Sequence, residues 1–120
     1  MTQDTKVMVI GLDGGSLDLI RSLAEKGIMP NLLALINEGV SGELKSVFPP
    51  ITAPAWASFL TGKNPGKHGI FNFFKNLRDL DNRRIVSHDS IKAETLISIA
   101  NQSGKKVASI NMPVTYPPPA

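Results

Sequence analysis

The sequence contains no cysteine, so it can form neither a disulfide framework nor a thiolate metal site, and redox chemistry gives no clue to its compartment. Aromatic residues are scarce at 6%, and Phe71, Phe73 and Phe74 sit together beside one lysine rather than interleaved with a basic track. That clustering suits a core and disfavours a groove for single-stranded nucleic acid. The net charge of +3 comes from scattered residues, with Lys105 and Lys106 and Arg83 and Arg84 as the only adjacent basic pairs, so binding to a nucleic acid duplex is not expected. Apolar runs all fall far short of a membrane span. No membrane association is expected, and a cytoplasmic chain is the default. With 120 residues and 42% hydrophobic content the chain can bury one modest core, and it reads as a single folding unit over residues 1–120 without internal repeats.

What is present is organised around residues 47–70, VFPPITAPAWASFLTGKNPGKHGI. Pro54 fixes its own φ and biases Ala53 toward extended geometry, so the spacing predicts a helix that begins at Pro54, with Thr52 just outside it. Trp56, Phe59 and Leu60 follow at the i, i+3, i+4 spacing of a core-facing stripe, and Gly62 supplies the stop. Free N–H groups and the positive end of the helix dipole at such a beginning favour an anion. Thr52 therefore has two readings, an ordinary helix cap or a nucleophile placed beside a phosphate.

The first element, residues 6–12 (KVMVIGL), is an apolar run of strand length that ends at Asp13, Gly14 and Gly15. Runs without polar alternation are typical of parallel sheets covered on both faces, whose C-terminal strand ends gather ligands. Ser16 then caps a helix with Leu17, Ile20, Leu23 and Ala24 on one stripe, closed by Gly27. Pro30–Glu38 forms a second helix, and residues 40–47 (VSGELKSV) read as a strand leading into Pro49 and Pro50. Residues 63–69 are turn-rich. The piece GKNPGK fails as a phosphate-binding P-loop, because its glycine spacing is one residue short and His68 follows Lys67 where Ser or Thr is needed. Residues 74–90 suit a surface excursion or hairpin. A helix over 91–102 with Ser90 as cap and Gly104 as stop precedes a strand at 106–112, which Pro113 halts. The pattern predicts an α/β fold, a largely parallel sheet flanked by helices. A proline run at 117–119 right after a core strand is unusual for a domain end, so the expectation is the N-terminal portion of a larger domain.

Asp13 and Thr52 each lie at an element end where an α/β sheet collects its ligands, and a carboxylate plus a hydroxyl could share a divalent metal. Asp13 also has the plain reading of a turn-forming residue before glycine. Three motifs in order, VIGLDG with Asp13, MPNLLALINEGV, and PPITAPAWASFLTGKNPGKHGI with Thr52, resemble the type I phosphodiesterase and nucleotide pyrophosphatase family of the alkaline phosphatase superfamily.

That resemblance implies an alkaline-phosphatase-like domain and a metal-dependent phosphodiesterase or phosphohydrolase acting on small phosphate esters. It implies two divalent metals, usually zinc with manganese as an alternative, Thr52 as a transiently phosphorylated nucleophile, and Asp13 and Thr52 as ligands of one metal. The family's remaining Asp and His ligands lie beyond these motifs and are absent from this sequence, so residues 1–120 alone are expected to be inactive. Ala55 and Trp56 replace the family's usual Asn and His after the threonine and proline. Asn72 falls one place from the asparagine that helps hold phosphate in nucleotide-cleaving relatives, which makes it the substrate-binding candidate. His68 belongs to the HGI piece, a structural turn in such proteins, and His88 reads as a surface residue. Neither is assigned to catalysis. The alternatives are other superfamily chemistry, phosphomutase or phosphonate hydrolase, and a non-catalytic binding or assembly module. An uncovered sheet edge would favour a homo-oligomer.

Overall fold

Helices carry the regular secondary structure among the residues that the computed structural model describes, 5–79 and 81–118. They fall into two compact units, Met1–Leu44 and Lys45–Ala120.

In the first unit α1 spans Leu17–Glu25 and α2 spans Pro30–Glu38. Ser16 caps α1 as its pattern predicts, its side-chain oxygen accepting the Leu19 N–H at 3.4 Å, and Asp18 in the first turn complements the helix dipole. Pro30 opens α2 at the first helical position, where its missing N–H costs nothing. The two helices pack together, with Ala24 fully buried. Arg21 Nη2 donates to Ser41 Oγ at 3.1 Å and ties the segment after α2 back to α1.

The second unit holds α3 (Thr52–Thr61), α4 (Pro65–His68) and α5 (Leu96–Gln102), with α3 packed on both of the others. Its core is built from small and branched residues, Ala53, Ala57, Ile70 and Val86, with Ile91 and Val114 packed against it. The stripe expected from Trp56 and Phe59 is not the inward one. Ala53, Ala57 and Leu60, at i, i+4, i+7, are buried, whereas Phe59 is 44% exposed and Trp56 packs against it edge-on at 6.1 Å. Gly62 ends α3 in the left-handed region at φ 62°, where a side chain would be strained.

The largely parallel sheet is contradicted, and with it the α/β fold class. Among the described residues no strand forms at 6–12, 40–47 or 106–112. Ladders need hydrogen bonds from a neighbour, and the N–H groups of residues 7–11 have no partner among the described residues. Apolar composition marks these runs as suited to burial, yet Val7 (82%), Met8 (85%) and Leu44 (93%) are exposed. The hairpin reading of 74–90 survives as a single antiparallel bridge between Phe74 and Ile85, flanked by Lys75 N–H to Arg84 O and Val86 N–H to Phe73 O.

The helix expected over 91–102 begins only at Leu96, because Thr95 is its cap and accepts the Ser98 N–H at 3.2 Å. Ser90 is used elsewhere: it closes a 3-10 turn, His88–Ser90, by a reciprocal exchange with Ser87. Of the terminal prolines, Pro119 lies outside the described residues. No helix among the described residues is long and apolar enough to cross a membrane.

Candidate functional site

Thr52 is the first residue of α3 rather than a residue outside it, so the helix starts two positions earlier than Pro54 suggests. The steric bias that proline exerts on Ala53 is overridden by burial, since both Ala53 and Pro54 lie in the interior. Pro54 sits within the first turn, where no N–H is needed. Thr52 is also not the cap. That position belongs to Ile51, whose side chain has no oxygen to offer, and the first intrahelical bond is Ala55 N–H to Ile51 O at 3.0 Å.

Two consequences follow for the start of α3. The amide N–H groups of Thr52 and Ala53 have no hydrogen-bond partner among the described residues, and neither does the Thr52 hydroxyl. Thr52 is half-buried at the first position of α3.

Asp13 belongs to the first unit. It occupies an exposed turn closed by Gly15 N–H to Leu12 O and Ser16 N–H to Gly14 O, and its carboxylate makes no hydrogen bond or ion pair among the described residues. A Cβ on Gly15 would come within 2.9 Å of Leu12 Cβ, so the turn that presents Asp13 requires glycine there. Asn72 belongs to the second unit with Thr52. Its Oδ1 accepts the N–H of Phe73 at 2.6 Å, which leaves the two Nδ2 donors unused among the described residues.

The sequence reading missed a side-chain pair that links the helix of Thr52 to α4. His68, fully buried at the end of α4, lies with Nε2 2.8 Å from Ser58 Oγ, and its Nδ1 accepts the Ile70 N–H at 3.1 Å. An acceptor at Nδ1 leaves the proton on Nε2, so the ring is neutral and donates to Ser58. A serine that receives a proton from histidine is not being activated by it, and Ser58 is no nucleophile. Burial holds the His68 pKa below the ordinary value of 6.5. The readable signal was Ser58 itself, a hydroxyl within an otherwise apolar helical segment, ten residues before a histidine in a turn.

A metal centre is not complete here. Among the described residues no group of three or more His, Cys, Asp and Glu side chains is gathered, whereas a closed site draws on about four donors per ion. The residues present do not fit a two-metal site by themselves. An open cavity of about 690 Å³, lined by Val86, Ser87, Asn111, Met112, Val114 and Tyr116 among others, includes neither Thr52 nor Asn72.

A family model described as type I phosphodiesterase / nucleotide pyrophosphatase matches residues 7–120. No curated protein and no solved structure matches the chain.

Proposed function

The chain belongs to the type I phosphodiesterase and nucleotide pyrophosphatase family, and from that premise we propose that it carries the threonine nucleophile of a phosphoric ester hydrolase, Thr52. The observation that carries the reading is the start of α3. A helix without a side-chain cap offers free N–H groups and the positive end of its dipole, and a hydroxyl with no hydrogen-bond partner among the described residues stands beside them. An anionic phosphoryl group docked there lies next to the Thr52 oxygen.

Members of this family act on small phosphate esters and are typically metal-dependent. In the proposed reaction the Thr52 Oγ1 gives up its proton and forms a bond to phosphorus as the ester P–O bond breaks, and the departing alcohol oxygen gains a proton. Water then cleaves the phosphothreonine, releasing phosphate or a phosphomonoester and restoring the hydroxyl. Asn72, with its two unused Nδ2 donors, is the candidate to hold a phosphoryl oxygen. We infer a requirement for two divalent ions, zinc or manganese. Asp13 and Thr52 are the donors offered here, and further ligands are required.

Turnover of an aryl phosphodiester and an aryl monoester by the full chain, assayed with added zinc or manganese, tests the reading. Thr52→Ala abolishes turnover and retains most bound metal. Thr52→Ser keeps part of the rate, since only the methyl group that restricts the rotamer is lost. Asp13→Asn lowers both rate and metal content. A near-normal rate in Thr52→Ala removes Thr52 from the chemistry.

A further inference from the structure

His68 is tied at every polar atom it has. Its own N–H donates to Asn64 O at 3.2 Å, its carbonyl accepts the Lys92 N–H at 2.9 Å, its Nδ1 accepts from Ile70, and its Nε2 meets Ser58 on α3. One buried residue therefore joins three separate pieces of chain: its side chain meets α3 and the turn after α4, and its carbonyl holds the segment that leads to α5. The only side-chain hydrogen bond between α3 and α4 among the described residues is this one. The rest of the inward face of α3 is Ala53, Pro54, Ala57 and Leu60, so Leu60 is the one large side chain of that face in the interior and no polar contact but that of Ser58 fixes the helix against α4 among the described residues.

We propose that His68 is the positioning residue for Thr52: in its neutral form it pins α3 through Ser58, and protonation of the ring releases the pin and lets the start of the helix move. Ser58 lies six residues beyond Thr52, about 9 Å along the same helix at 1.5 Å per residue, so a rotation at one is carried to the other.

The acid-sensitive step is specific to Nδ1. A proton added there turns an acceptor into a donor facing the Ile70 N–H, and two donors then confront each other in a buried site. The charged groups around the ring do nothing to relieve this. Lys67 precedes it in α4, and the side chain of Lys92 runs against Gly69. Neither α3 nor α5 carries an ionisable side chain, and no carboxylate lies within ion-pair distance of His68 among the described residues. Burial adds to the same preference for the neutral ring.

The consequence for turnover rests on Thr52 being the nucleophile, but the pin itself is testable without it. The chain has a single tryptophan, Trp56, on α3, so its fluorescence reports this helix alone. The His68 ring nitrogens, the Thr52 amide signal and Trp56 emission are followed by NMR and fluorescence from about pH 8 to about pH 4, across the ordinary histidine range. At neutral pH the ring is expected as the Nε2–H tautomer, and all three signals are expected to move together with one midpoint below that of a free histidine.

His68→Gln, which keeps a donor toward Ser58 and cannot titrate, leaves the Thr52 amide near its wild-type position and removes the transition. His68→Asn, which keeps the Ile70 acceptor and cannot reach Ser58, displaces it already at neutral pH. An Nδ1–H tautomer, or a Thr52 amide that stays still while His68 titrates, overturns the proposal. The titration of the wild-type protein decides between these outcomes even where a variant does not fold. Coupled signals together with full turnover in Thr52→Ala would instead sink the nucleophile reading and leave the pin in place.

Discussion

The Nε2–H of His68 points at Ser58 Oγ across 2.8 Å inside the second unit, and this hydrogen bond ties the helix that bears Thr52 to α4. The ring is neutral because its other nitrogen is already an acceptor.

Stability should therefore depend on acid through His68. A folded-state pKa held below 6.5 means that the unfolded chain binds the proton more readily, so the contribution of His68 is complete above about pH 6.5 and is lost as pH falls through the lower folded value. Urea unfolding of wild type and His68→Gln at about pH 7 and about pH 4.5 isolates it. The stability difference between the two proteins should shrink or reverse at the lower pH, and a difference constant with pH would contradict the assignment.

Ser58→Ala removes the acceptor and leaves a buried Nε2–H without a partner. A loss of about 1–3 kcal/mol in unfolding free energy is expected from an orphaned buried donor. Ser58→Thr keeps the hydroxyl and should lose less. Equal losses in the two variants would show that packing, and not the hydrogen bond, dominates at this position.

Thr52→Ala should change stability by no more than about 0.5 kcal/mol, because Thr52 is the first helical residue and its hydroxyl bonds to nothing among the described residues. A cap would behave otherwise, costing about 1 kcal/mol on replacement by alanine. Chemical denaturation thus separates the two readings of Thr52, cap and nucleophile, without any assay of turnover.

Zinc added to residues 1–120 alone should bind weakly, without two tight sites. The described residues gather no set of three metal-binding side chains, and Asp13 and Thr52 fall short of the roughly four donors that a stable centre takes. Isothermal titration gives the stoichiometry directly. Two tight sites would mean that the ligands have been misidentified and that His68 or His88 must be reconsidered.

Self-association is expected at high protein concentration. Val7, Met8 and Ile10 stand 74–85% exposed in one apolar run, with Ile110 similarly exposed in the second unit. Sedimentation velocity over a concentration series should reveal a rising mean mass, and Met8→Lys with Ile10→Glu should suppress it. A monodisperse monomer throughout would mean that these side chains are tolerated in water as they stand.

Local chemistry alone determined a good part of this protein. Ser16 and Pro30 start α1 and α2 where the pattern places them, because capping and a missing N–H are decided within one helical turn. Gly62 stops α3 for the same kind of reason, as the residue that accepts a positive φ without strain. The order of the three motifs was sufficient to point to the family. The choices left to tertiary structure all depended on partners distant in sequence. The spacing of α3 pointed to Trp56, Phe59 and Leu60 as its inward stripe, and packing against Ile70 and Val86 turned Ala53 and Ala57 inward instead of the aromatic rings. Thr95 outcompeted Ser90 for the start of α5 because Ser90 had a closer use in its exchange with Ser87. The pairing of His68 with Ser58 required two helices to meet. For residues 6–12 the apolar composition favours burial in a sheet, but a strand exists only where a neighbour supplies its hydrogen bonds, and that neighbour is not found among the described residues.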